Sequence, residues 1–279
     1  MRILTALFPL FLQTLPGETR HLSPRIDASA AREVSISCVA GEVIVDGAEG
    51  NEVSVEADLE GLNTRLVAER KGDRVLLIVE GEGKDSAVHL VVHMPRKLAL
   101  SAEVVSAEIR ATRLEGALGL ATVSGDIVLE DVRGEINAKT TSGDVKVRGA
   151  TPSVRAQTVS GDIFLGLNRA AIRVGTVSGD VRAEAEQLLA ASAETVSGDM
   201  VLAAGLAPGG AFKLSSQSGD VELRLPSSGG AEVDFDSMSG ELLGSDRASG
   251  WPRSTVNRTV GGGGAKVHVS TMSGDLSLR

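Results

Sequence analysis

From about residue 100 to the C-terminus, apolar and polar positions alternate in short runs, and the runs recur around a fixed serine. Six and four residues before that serine stand Leu118 and Leu120, Ile136 and Ala138, Val154 and Ala156, Ile172 and Val174, Phe212 and Leu214, Val233 and Phe235, and Val267 and Val269. Three and five residues after it stand Ile127 and Leu129, Val145 and Val147, Ile163 and Leu165, Val221 and Leu223, and Leu276 and Leu278. A period of two marks a strand with one buried face, so each repeat predicts two inward-facing strands joined at the serine. The positions between them, among them Asn137, Lys139, Arg155, Gln157, Arg173, Glu194, Lys213 and Asp234, predict the solvent face.

The serine opens a corner tripeptide that occurs as Ser124, Gly125, Asp126; Ser142, Gly143, Asp144; Ser160, Gly161, Asp162; Ser178, Gly179, Asp180; Ser197, Gly198, Asp199; Ser218, Gly219, Asp220; and Ser273, Gly274, Asp275. Ser239, Gly240, Glu241 is a conservative variant, and Ser106, Ala107, Glu108 a degenerate first copy. The intervals from Ser106 onward are 18, 18, 18, 18, 19, 21, 21 and 34 residues. A fixed coil with late insertions fits this series. It predicts an all-β fold, a parallel β-solenoid (β-helix) with coils of about 18 residues, in which equivalent positions stack into ladders. An antiparallel sandwich built as a meander shares the periodicity and stays open.

The corner glycines predict a positive φ or a tight backbone approach. The aspartates predict acceptors for turn amides. Carried through the corner, the alternation turns inward both the serine and the threonine two residues before it (Thr122, Thr140, Thr158, Thr176, Thr195, Thr271), where the hydroxyls need backbone partners.

Upstream, Ile36 to Val45 aligns with Leu120 to Leu129, which places Cys38 at the inward threonine position. Residues 1–20 read as a signal peptide: a short basic start, then an apolar stretch broken by Pro9 and too short to span a bilayer. Residues 21–100 read as an N-terminal β region of first coils and cap, since an open parallel stack needs a covered edge. Residues 101–279 are the repeat solenoid, with a long loop at 244–264.

Composition narrows the function. Hydrophobic residues are 42% of the chain but aromatics only 2%, so Val, Ile, Leu and Ala fill the core. A net charge of −9 offers no footprint for nucleic acid. The lone Cys38 excludes an internal disulfide. The 244–264 segment offers Asp246, Arg247, Arg253 and Arg258 without a histidine or second carboxylate, and His89 and His93 would stand about 13 Å apart along one strand. No catalytic or metal site, cofactor or small-molecule substrate is predicted. The aspartate column invites calcium, but the Gly-Gly-x-Gly-x-Asp spacing of calcium-binding β-rolls is missing and turn capping explains it without metal. Only Phe164 and Trp251 are rings outside the core, which leaves sugar stacking poorly supplied.

One residue before each corner serine lies an external column: Val105, Val123, Thr141, Val159, Val177, Val196, Gln217, Met238 and Met272. Val123, Val159, Val177 and Val196 form a candidate ridge for an envelope protein or a second copy of the chain. The plainer account is β-propensity at the coil edge. These features predict an exported, non-catalytic solenoid that presents a surface for adhesion or partner binding, in the periplasm, at the cell surface or secreted. The alternatives are a passive envelope spacer and a polysaccharide-binding or polysaccharide-cleaving β-helix.

The repeated Thr-Val-Ser-Gly-Asp-Ile/Val corners, the Val-His-Met-Pro95 strand end and the final Ser-Thr-Met-Ser-Gly-Asp-Leu-Ser-Leu resemble the "putative adhesin" family of bacterial envelope proteins with toast-rack-like β-solenoid domains. The resemblance covers about residues 32–279 and implies the solenoid fold and an envelope setting. It carries over no catalytic residues.

Overall fold

The computed structural model describes residues 19–61, 63–81, 87–226, 230–243, 254–262 and 264–279. The signal peptide expected at 1–20 lies, but for its last two residues, outside them. Among the described residues all regular structure is β, arranged as two ladders that flank the Ser-Gly-Asp corner.

The ladder after the corner runs in space through Val88–Pro95, Glu33–Ala48, Ala99–Thr112, Ile127–Val132, Val145–Gly149, Ile163–Gly175, Val181–Ser197, Met200–Leu206, Val221–Arg224, Leu276–Leu278 and Leu242–Leu243. Every one of these neighbours is parallel, which rules out the antiparallel meander. The ladder before the corner is likewise parallel from Arg74–Glu80 through Glu33–Ala48 and the successive repeats to Ala211–Ser218, Ala265–Ser273 and Ala231–Ser237. The rows of alternating apolar residues read from the sequence meet between the ladders. Ile127, Val145, Ile163 and Val221 are fully or almost fully buried, as are Leu118, Ala138 and Val154 facing them. Small and branched side chains suit this core, because each layer is only one strand spacing thick.

A second corner closes each coil, unannounced by any tripeptide. Arg113 and Asp131 take the left-handed conformation there, with φ of 57° and 48°. Gly116 and Gly134 follow in successive coils, and a Cβ on Gly134 would lie 1.7 Å from the Gly116 carbonyl oxygen.

Coil order in space departs from sequence order at both ends. Ala265–Ser273, late in the chain, lies between Ala211–Ser218 and Ala231–Ser237. Glu33–Ala48, early in the chain, lies between Val88–Pro95 and Ala99–Thr112. Antiparallel strands close both ladders at one end, Arg65–Lys71 on Arg74–Glu80 and Glu52–Leu59 on Val88–Pro95, and the ladder before the corner at the other, Ser254–Val260 on Ala231–Ser237. The expected loop at 244–264 is thus partly this closing strand, and residues 244–253 lie outside the described ones. Antiparallel closure gives the stack's outer carbonyls and amides partners that a parallel coil would leave open to another chain.

Candidate functional site

The repeated corner is the most regular surface feature, and its chemistry differs from the simple alternation. The N–H groups of Val123 and Ser124 both donate to the Val105 carbonyl, at 3.1 and 2.8 Å; Thr141 and Ser142 do the same to Val123, and Val159 and Ser160 to Thr141. Two residues facing one carbonyl form a bulge, which breaks the period-two parity. The corner serines Ser124, Ser142, Ser160, Ser178, Ser197, Ser218 and Ser273 are therefore exposed, contrary to the inward orientation that the pattern predicts. The threonines keep the inward position. Thr140, Thr158 and Thr176 are buried and donate to the carbonyls of Gly125, Gly143 and Gly161 in the preceding coil, each at 3.2 Å.

Close approach selects glycine at every one of these corners, and only Gly198 and Gly219 add a positive φ, of 156° and 154°. A Cβ on Gly143 would stand 2.1 Å from the Gly125 oxygen, and one on Gly161 2.0 Å from the Gly143 oxygen. The aspartates cap across coils instead of within their own turn. Asp126, Asp144, Asp162, Asp180, Asp199 and Asp220 each accept the backbone N–H of the next aspartate in the stack, at 2.8 to 3.0 Å, ending at Asp275. Asp275 accepts from Glu241, so the variant corner closes the ladder. Burial pushes the Asp144 carboxyl up, but the Asp162 amide and the Lys146 ammonium outweigh it and hold the group below the usual carboxylate range.

Beside this ladder runs the apolar column. Val105, Val123, Val159, Val177, Val196, Met272 and Met238 are the large exposed apolar side chains of the corner edge, from 41% exposed at Val196 to 61% at Met238. Val39 extends the line by one coil at 54% exposure, because Cys38 pairs with Val104 and Ala40 with Ser106. The alignment of Cys38 with Thr122 already implied Val39, which the repeat search missed because its corner has lost the tripeptide. Cys38 itself is buried, and burial raises its thiol to about 11.

Other polar groupings are sparser. His89 pairs with Glu42 at 3.1 Å and His93 with Asp46 at 3.5 Å, each on its own carboxylate. Asp234, Asp236 and His268 bring ligand-type atoms within 4.8 Å of one another, with His268 Nδ1 3.2 Å from Asp234 Oδ2. Asp234 and His268 hold the same position in consecutive repeats, five residues before Ser239 and Ser273, so the repeat alignment is the signal that could have found this pairing. Asp246, Arg247 and Arg253 lie outside the described residues.

Both the fold and the repeat residues point the same way as the profile of one family, described as Toastrack DUF4097, which matches residues 24–190 and 170–279. The chain belongs to the Toastrack family. No curated protein matches it. Among solved structures, it is similar to a "putative adhesin" from Bacteroides fragilis at 9% identity and a TM-score of 0.53, covering 95% of this chain and 100% of that one. It is also similar to a "putative lipid binding protein" from Parabacteroides distasonis at 13% identity and a TM-score of 0.53, covering 95% and 99%. At such identities the likeness shows a shared fold alone. Among the described residues no helix is long and apolar enough to cross a membrane.

Proposed function

We propose that this Toastrack protein is an exported, non-catalytic binding module of the cell envelope, and that it engages a partner protein through the valine ridge. The observation that carries the reading is the line Val39, Val105, Val123, Val159, Val177 and Val196, every member exposed, on a scaffold whose other alternating apolar positions are buried. Desolvating the exposed half of one such valine contributes on the order of 1 kcal/mol, so several in a row supply useful affinity without any pocket. The neighbouring carboxylate ladder would favour a partner with basic groups beside its apolar ones. Export fits the apolar N-terminal stretch, and absence of a catalytic role fits corners whose carboxylates already cap amides.

Site-specific photocrosslinking tests the proposal. A photoreactive residue at Val177 should give one discrete protein adduct in envelope fractions, and Val159→Thr combined with Val196→Thr should abolish it. No adduct from the ridge, with unchanged behaviour of the double variant in cells, would instead support a passive spacer.

A further inference from the structure

We infer that the outer face of the sheet before the corner is a binding trough for a linear polysaccharide carrying carboxylates. Two grooves lie on this face, one of about 620 Å³ and one of about 900 Å³, and they meet at Ile172 and Arg173. Together they reach from Glu33 in the N-terminal coil to Thr259 in the closing strand, so the trough crosses the strands and follows the solenoid axis. Small side chains floor it: Ala99, Ser101, Ala117, Gly119, Ser153 and Ala171 in the first part, then Ala190, Ser192 and Ala211. A groove of this direction and length fits an extended polymer, and the small floor lets it lie close to the backbone.

The midline of the trough is cationic. Strand register aligns Asn137, Arg155 and Arg173, then Ser192, Lys213 and His268, one per coil. Neighbours in this row are ~4.8 Å apart, which is about the rise of one pyranose unit in an extended chain. Arg155 and Arg173 are register neighbours, and neither they nor Lys213 have an ion pair among the described residues. On the other sheet several cations are paired, although among the described residues Arg148 has no ion pair. There Arg110 pairs with Glu108, Lys146 with Asp144, Arg182 with Glu184 and Arg224 with Glu222. The flanking rows are mixed in charge, Glu135 and Lys266 on one side and Glu194 and Lys139 on the other, and Asp234 beside His268 ends the midline.

Two like charges on neighbouring strands disfavour each other, and an anion laid along them would relieve that repulsion while accepting bidentate hydrogen bonds. The trough lining contains no exposed aromatic ring, since Phe212 is buried, and neutral-sugar stacking has no platform. A nucleic acid would need bases stacked on rings and many more phosphate contacts than this row supplies. Carboxylate groups spaced along a polysaccharide match the charge, the spacing and the polar floor.

The inference is independent of the ridge, and the test keeps the two apart. Binding of polygalacturonate oligomers to the full chain is measured by calorimetry at low and at physiological salt. Arg155→Ser combined with Arg173→Ser should weaken binding at least tenfold with an unchanged melting temperature, because both side chains point into solvent. Val159→Thr combined with Val177→Thr should leave it unchanged. Absence of polygalacturonate binding, equal binding of neutral dextran or of single-stranded DNA, or an undiminished affinity in the arginine double variant would each overturn the inference.

Discussion

The backbone N–H of Asp162 donates to the carboxylate of Asp144 in the preceding coil at 3.0 Å, so each aspartate holds its neighbour's corner rather than its own. The same bond repeated through the stack makes the ladder a structural element, and its chemistry sets the first expectation. Asp162→Ala removes the acceptor for Asp180 and should destabilise the protein by about 1–2 kcal/mol, whereas Asp162→Asn keeps an oxygen in place and should cost under about 1 kcal/mol. Urea midpoints of the two variants check this. A chelator should leave the melting temperature of the wild type unchanged, and a calcium-dependent rise would show the ladder to be a cation site.

Acid should unfold the ladder in a predictable window. At Asp144 burial raises the carboxyl, but the Asp162 amide and Lys146 bring it below its ordinary value; at Asp46 burial is similarly outweighed by Arg113 and Thr112. A depressed folded value means that the stabilisation is complete above the unfolded value of about 4 and is lost as pH falls through the folded one. Melting temperature should therefore be flat between about pH 5 and 7 and fall below about pH 4. Asp144→Asn should make that fall shallower.

The corner glycines should be far less tolerant than their open conformation suggests. Any Cβ at Gly161 meets the Gly143 backbone oxygen at 2.0 Å, and backbone of the neighbouring coil cannot yield locally. Gly161→Val should cost more than about 4 kcal/mol or prevent folding. Gly166→Ala is the control: its Cβ would stand 3.4 Å from the flexible Arg148 side chain, and stability should change by under about 0.5 kcal/mol.

The inward hydroxyls divide into two groups. Thr158 donates to the Gly143 carbonyl, so Thr158→Val should lose about 1 kcal/mol. Thr195 occupies the equivalent position with a buried hydroxyl that has no hydrogen-bond partner among the described residues, and Thr195→Val should be neutral or stabilising. Opposite signs in thermal or chemical denaturation would confirm the distinction.

Cys38 should resist thiol reagents in the native protein. It is 3% exposed, and burial raises its thiol to about 11, which leaves almost no thiolate at neutral pH. Labelling should appear only with unfolding, and rapid native labelling would contradict its place in the core.

By itself the sequence determined which face of each strand is buried, where the Ser-Gly-Asp corner falls and all of the external valine column but Val39. Those features are local: period-two alternation places Ile127 and Val145 inward whatever lies beside them, and the same alignment puts Cys38 in the core. The tertiary structure decided which coil neighbours which. Parallel coils with the same alternation can pair in any order, so nothing in the spacing of Ser218, Ser239 and Ser273 shows that the last coil enters between the other two. Only the stacked structure exposes the corner serines, because the bulge at Val123 and Ser124 forms against the Val105 carbonyl of another coil. The row itself was legible, since Arg155, Arg173 and Lys213 each stand five residues before a corner serine, but only the stacked strands set His268 next to Lys213 and shape the trough along them.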